Sequence, residues 1–246
     1  MLVAATFALG GEFASWRRLR PFRRCADGPI PTFETRVGGV RLRVVLTGIG
    51  QGAATAALGT VFQNRPDVCI ASGLAGGLND ALRVADIIAA GTARDRDGRS
   101  IDSDPRLLAL AVRRGATAVN MCSSPIVVVS AEQKRRMSVM ADAVDMESTA
   151  ILGESHRLGV PCIAIRAISD PATVDVPLDL NQTLTGGRVS AVRLIAALVR
   201  RPQAVPGLVR FGFDGRRAAA ALAAFLDAYV EQLAASPPFS TTTLTI

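Results

Sequence analysis

The chain has 246 residues, 49% of them hydrophobic, 20% charged and 4% aromatic, with a net charge of +7 at neutral pH. That length buries a substantial core as one large α/β domain or two small ones. No uninterrupted apolar run approaches the roughly 20 residues that span a bilayer, which excludes a helical membrane-embedded chain and leads us to expect a soluble, cytoplasmic protein. Four cysteines form no CxxC pair, and with a single histidine no zinc ligand set assembles at the usual spacing. A reducing compartment is expected, with no metal and no cofactor.

In chain order, Leu2 to Leu9 reads as a first strand, and Gly10-Gly11 as a turn that presents Glu12. These opening residues carry no basic segment ahead of their short apolar run, so a first strand fits them better than a secretory leader. Thr35 to Gly39 and Val40 to Leu46 read as the arms of a hairpin around Gly38-Gly39. Gly48, Gly50 and Gly52 bend the chain into a helix from about Ala53 to Asn64. Asp67 to Ser72 is a short apolar strand, followed by a Gly-rich loop, SGLAGGL. Asp86 to Ala90 reads as a strand, Leu107 to Arg114 as a helix, Ile126 to Val129 as a strand and Ala131 to Met140 as a helix.

The most informative stretch runs from Asp145 to Asp170. Asp145 and Ser148 cap a helix that carries Thr149, Ile151, Leu152 and Leu158 at helical spacing; Gly159 stops it and Pro161 bars its continuation. Cys162 to Ile168 is mostly apolar on both faces, as a buried parallel strand is, and ends in Ser169-Asp170. Glu147 therefore stands at the start of a helix, and Asp170 at the carboxyl end of a strand, where open α/β sheets bind small ligands. Two carboxylates in one pocket suit glycosidic chemistry: one protonates a leaving group while the other holds a sugar hydroxyl or activates water. On spacing alone, an open alternative is that Glu147 caps its helix and Asp170 begins a turn before Pro171. His156 lies nine residues past Glu147, more than two helical turns away, and reads as structural or surface.

VDMES and RAISD, at this separation, resemble the nucleoside phosphorylase and nucleosidase superfamily, in which a D/E-M-E segment and an I-S-D segment form the ribose and purine sites. LTGIGQGAATAALG (Leu46 to Gly59) and SGLAGGLNDALRVADIIAAG (Ser72 to Gly91) agree in order, so the resemblance spans Leu2 to about Thr173. It implies a single-domain nucleoside phosphorylase-like α/β fold over residues 1–235, a central mixed twisted sheet flanked by helices. It also implies a homodimer. Carried over residue by residue, it makes Glu12 the base that activates water and Asp170 the group that protonates N7 of a purine while kept protonated or sharing a proton. Gly73, Ala75 and Gly76 become the close backbone approach to the nucleoside, Met146 and Glu147 the sugar site, and Ser169 part of the I-S-D segment.

This chain departs from that pattern in two places. Leu74 stands where nucleosidases place a hydroxyl residue, and no stacking aromatic occurs near Lys134, which leaves base contacts to the backbone near Val129. Phosphorylases have a Gly-Asp-Pro type turn where this chain offers Glu12, and an arginine before the Gly-rich loop where it has Cys69-Ile70-Ala71. An apolar lead-in cannot hold a phosphate dianion bidentately, which argues for water as the nucleophile.

After RAISD, Val189 to Arg200 and Arg216 to Leu233 read as amphipathic helices, and residues 236–246 as a disordered tail. This continuation, with GLAGGL and an AEQK helix leading into VDMES, resembles the hopanoid-biosynthesis nucleosidase branch, whose members remove adenine from adenosylhopane. Helices with Leu, Ile, Val and Phe on one face and Arg on another suit a membrane that holds an apolar substrate; they suit a core-packing pair with snorkelling arginines equally well. Arginines cluster at Arg17, Arg18, Arg20, Arg23 and Arg24 and again from Arg188 to Arg217, which favours polyanionic surfaces. With no recognisable nucleic-acid module and few aromatics, nucleic acid is not the expected partner; anionic lipid and an ordinary solvated surface stay open. The expected activity is hydrolysis of adenosylhopane to adenine and ribosylhopane, peripherally at the membrane. The alternatives are a phosphorylase, a methylthioadenosine/S-adenosylhomocysteine-type nucleosidase, and a non-catalytic lipid- or nucleic-acid-associated protein.

Overall fold

The computed structural model describes residues 1–25, 28–179, 181, 184–185, 188–189 and 202–235. Its centre is β1 (Leu2–Phe7), every residue of which is buried; β1 lies parallel to both β4 (Val40–Leu46) and β5 (Val68–Gly77). The last long strand, β10 (Cys162–Asp170), runs parallel to β5 and is buried along its whole length. Burial on both faces explains why these strands read as nearly continuous apolar runs. β2 (Arg23–Arg24) and β3 (Thr32–Val37) add an antiparallel edge to β4, so the predicted hairpin is present, turning at Gly38-Gly39.

On the other side the sheet closes on itself. β10 pairs antiparallel with β6 (Ile87–Arg94), β6 runs parallel to β8 (Thr117–Ser123), and β8 to β9 (Ala143–Asp145). β9 returns to the Gly76-Gly77 end of β5, which already pairs β10, while β7 (Ser100–Asp102) extends β6. The mixed α/β architecture is thus the expected one, with β5, β10, β6, β8 and β9 forming a closed ring.

Helices cover both faces because strand residues alternate between two cores. Val3, Ala5 and Phe7 face α1 (Gly10–Leu19), α3 (Pro105–Arg113) and α6 (Val205–Ala235), whereas Ala4, Cys69 and Ala71 face α2 (Gln51–Val61) and α5 (Ser148–Leu158). α6 is long and apolar enough to cross a membrane by length and composition. Its second half nevertheless buries Leu222, Leu226, Tyr229 and Leu233 in the core, and the Tyr229 hydroxyl donates to the Leu107 carbonyl at 2.9 Å. Asp227 on the same half accepts from Trp16 Nε1 and pairs with Arg20, so that half is a core helix.

Several expectations need correction. The Gly-rich segment is not a loop: Ser72 to Gly77 continues β5, bonded to β10 on one side and β9 on the other. Glycine's poor strand propensity hides this from sequence. Gly10-Gly11 is the first turn of α1. Ile126 to Val129 forms no strand; the strand is β8, whose exposed Thr117 and Asn120 break its apolar pattern. The helix read as reaching Met140 ends at Met137, as α4 (Ala131–Met137). Val189 pairs with Leu184 in a short strand, while residues 190–200 of the predicted helix and the predicted tail lie outside the described residues.

Candidate active site

A cavity lies at the carboxyl ends of β5, β9 and β10, and Glu12, Ala75, Gly76, Met146, Glu147, Ser169 and Asp170 all line it. Gly73 stands one layer behind, against Arg166. The residues singled out from four separate segments are therefore brought together. His156 is exposed near the end of α5, as its position suggested.

Each carboxylate is aimed by local structure. Glu12 lies in the first turn of α1, and its Oε2 accepts the backbone N–H groups of Ala8 and Leu9, both at 3.1 Å. Burial raises its proton affinity above the ordinary carboxylate value, while those N–H groups and Arg166 pull it back only partly. A base with raised affinity suits removal of a proton from water. Glu147 is the N-cap of α5 and is buried, and its Oε1 accepts the Gly50 N–H at 2.6 Å. Its pKa is pushed up to about 7, chiefly by burial and also by Asp145 and Glu12, against the opposing pull of Arg166.

Asp170 reaches the cavity through a bulge: Ile168 pairs with Ala75 and Asp170 with the next residue, Gly76, so one extra residue on β10 re-aims the strand end. Ser169 Oγ lies 2.6 Å from Asp170 Oδ1 and 3.2 Å from the Ala75 carbonyl. Lys134 Nζ lies 2.6 Å from Oδ2.

Sequence reasoning passed over Arg166 as a site residue. It is 2% exposed, its Nη2 contacts Asp145 Oδ2 at 2.5 Å and Ser148 Oγ at 3.0 Å, and its Nη1 donates to the Ser72 carbonyl at 2.9 Å. Glu147 Oε2 lies 3.8 Å away. Asp145, read as a cap, does accept the Ser148 N–H at 3.0 Å, but it also anchors this guanidinium and takes a hydrogen bond from Ser123. The available signal was an arginine in the middle of CIAIRAI: a charge in a two-sided apolar strand must be paired.

Among the described residues, then, four carboxylates, of Glu12, Asp145, Glu147 and Asp170, stand around the cavity against two cations, of Arg166 and Lys134. Both cations are already bonded to protein oxygens. The backbone wall from Ile126 to Val128 is held by Asn181, whose side chain accepts from the Val127 N–H and donates to its carbonyl, and by the Val176 N–H on the Val129 carbonyl. Phe211 and Gly215 of α6 also line the cavity.

Residues 4–231 match the family model of the phosphorylase superfamily. Among solved structures, a mutant futalosine hydrolase of Helicobacter pylori is 18% identical with a TM-score of 0.73, aligning 95% of this chain with 100% of that one. The 5′-methylthioadenosine/S-adenosyl homocysteine nucleosidase of Campylobacter jejuni is 18% identical with a TM-score of 0.74, over 95% of this chain and 100% of that one. That of Neisseria meningitidis, in complex with methylthio-immucillin-A, is 24% identical with a TM-score of 0.72, over 94% and 99%. At these identities the likeness is one of fold.

Proposed function

Because the chain belongs to the phosphorylase superfamily, we propose that it is a purine nucleosidase that hydrolyses adenosylhopane to adenine and ribosylhopane. The observation that carries the reading is the convergence of Glu12, Glu147 and Asp170 on one cavity. Glu12 takes a proton from water directed at C1′, and Glu147 accepts ribose hydroxyls and favours the positive charge of an oxocarbenium-like transition state. Asp170 passes a proton to N7, so the base leaves neutral. Met146 packs against the sugar, and Ala75 and Gly76 give the nucleoside a close backbone floor.

Water is preferred to phosphate on electrostatic grounds. A phosphate dianion entering this cavity meets acidic side chains and, among the described residues, finds both cations occupied, and Cys69-Ile70-Ala71 supplies no guanidinium. Water meets no such repulsion.

The apolar 5′ group is supported by α6. α6 contributes Phe211 to the lining and exposes Val205, Val209 and Phe213 at four-residue spacing, with exposed Arg210, Arg216 and Arg217 beside them. An apolar stripe flanked by arginines suits an anionic membrane from which a lipid-linked nucleoside is drawn. The reading includes a cytoplasmic homodimer that touches the membrane peripherally. A second reading, a methylthioadenosine-type nucleosidase, is favoured by the same three carboxylates.

The deciding experiment is adenine release from adenosylhopane and from methylthioadenosine, each with and without phosphate, with the sugar product identified. Phosphate-independent release that yields free ribosylhopane supports the proposal. Release only with phosphate overturns the nucleophile, and preference for methylthioadenosine overturns the substrate.

A further inference from the structure

Lys134 is 0% exposed, an extreme position for a lysine, and it sits in a helix, AEQKRRM, whose other charged members are exposed. Its three N–H donors have three partners: Asp170 Oδ2 at 2.6 Å, the Pro171 carbonyl at 2.8 Å and the Val174 carbonyl at 2.9 Å. A fully buried ammonium is costly unless an anion meets it, and Asp170 is the only carboxylate paired with it among the described residues.

α4 is itself pinned. Ser130 and Gln133 form its capping box, and the Ala131 N–H donates to Asp175 at 2.7 Å. Through Lys134 this helix fixes the strand end that carries Asp170 and the turn after it, whose Val176 is bonded to Val129 beside the cavity wall.

We propose that Lys134 is the positioning residue for Asp170, holding its carboxyl in one orientation and meeting the charge it acquires as the purine leaves. The inference rests on the nucleosidase reading. In the step concerned, the O–H bond of Asp170 breaks, its proton bonds to N7, the electron pair stays on Asp170, and the C1′–N9 pair leaves with the base. Once that transfer is made, the 2.6 Å contact joins an ammonium to a carboxylate. Over a turnover, the proton that Glu12 takes from water balances the one that Asp170 gives, and solvent carries it between them. An ammonium already in place costs no reorganisation when the charge appears.

The test compares leaving groups. Wild type and Lys134→Met are assayed on a purine nucleoside and on the 4-nitrophenyl riboside with the same 5′ group, whose nitrophenolate departs without a proton. Loss of a leaving-group proton donor costs about a hundredfold or more, so the variant should lose about that much kcat on the purine nucleoside and less than about threefold on the nitrophenyl riboside. Equal losses on both substrates, or no loss on the purine, would overturn the proposal, since a merely structural lysine lowers both alike. Lys134→Gln, which keeps a hydrogen bond but no charge, gives the same comparison if the methionine variant does not fold. If wild type cleaves neither substrate, it is the nucleosidase reading that fails. The Lys134→Met/Asp170→Asn double-mutant cycle in thermal unfolding then decides the pair: additive losses overturn it, and a large coupling supports it.

Discussion

Gly73 and Arg166 fit only together. A β-carbon at Gly73 would overlap Arg166 Nη1 and lie 3.4 Å from Glu12 Oε2, and the backbone there has φ +146°, a region that side chains rarely adopt. Gly73→Ala therefore forces out the guanidinium or bends β5 at its contact with β10. Since backbone strain of this kind costs about 1–3 kcal/mol before any clash is counted, activity should be abolished and the thermal midpoint should fall. Purified Gly73→Ala with full activity would show that the arginine can move aside.

Arg166 holds a cluster that cannot stand without it. Asp145 and Glu147 are 5% and 6% exposed, and both face its Nη2. Among the described residues, Arg166→Met leaves these charges buried with no paired cation, a change that typically costs about 3–5 kcal/mol. Unfolding by denaturant should report a loss of that order, and Arg166→Met/Asp145→Asn should recover part of it.

Much of this arrangement was legible in the sequence, for reasons that differ by element. β1, the hairpin, α5 and β10 announce themselves by apolar runs and by punctuation at Gly38-Gly39, Gly159 and Pro161. Glu12, Glu147 and Asp170 stand at element ends, where sequence position predicts access to a cleft. Hidden elements were those whose identity depends on partners elsewhere. β8 carries Asn120 in its middle, and the glycines of β5 look like a loop until β9 and β10 bond to them. Lys134 looks like any solvated helix lysine until Asp170 is placed beside it.

The two proton-handling groups should separate kinetically. Asp170→Asn removes the donor to the base and Glu12→Gln the acceptor from water, and each should lower kcat by at least about a hundredfold. On a nitrophenyl riboside, however, only Glu12→Gln should remain crippled. Equal defects on that substrate would mean that Asp170 serves the sugar and not the base.

Glu147 sets a pH window. Its pKa rises from 4.5 to about 7 on folding, so between those values the folded protein holds more protons than the unfolded chain. Stability should therefore fall as pH rises from about 5 to above 7, by at most about 1.4 kcal/mol per pH unit from this one group. Glu147→Gln should flatten that slope. Because only the ionised carboxylate accepts from both ribose hydroxyls, kcat/KM should rise with pH through the same range. A wild-type profile that is flat between pH 5 and 8 would detach Glu147 from sugar binding.

The first half of α6 offers a separation of chemistry from access. Val209 and Phe213 are 53% and 62% exposed and lie outside the cavity lining, whereas Phe211, between them, is part of it. Burying each such side chain in a bilayer is worth about 1.5–3 kcal/mol when complete, so removing two should weaken membrane binding by roughly tenfold or more. Val209→Ser/Phe213→Ser should thus turn over methylthioadenosine, a water-soluble nucleoside, as wild type does. It should also lose most of its activity on adenosylhopane presented in anionic vesicles. Arg216→Glu/Arg217→Glu should give the same split, with the defect growing as vesicle charge increases, because reversed charges are repelled by the surface that the arginines would attract. Sedimentation of each variant with the vesicles checks the cause: unchanged vesicle binding would mean that α6 serves the fold alone and that the substrate reaches the cavity by another route.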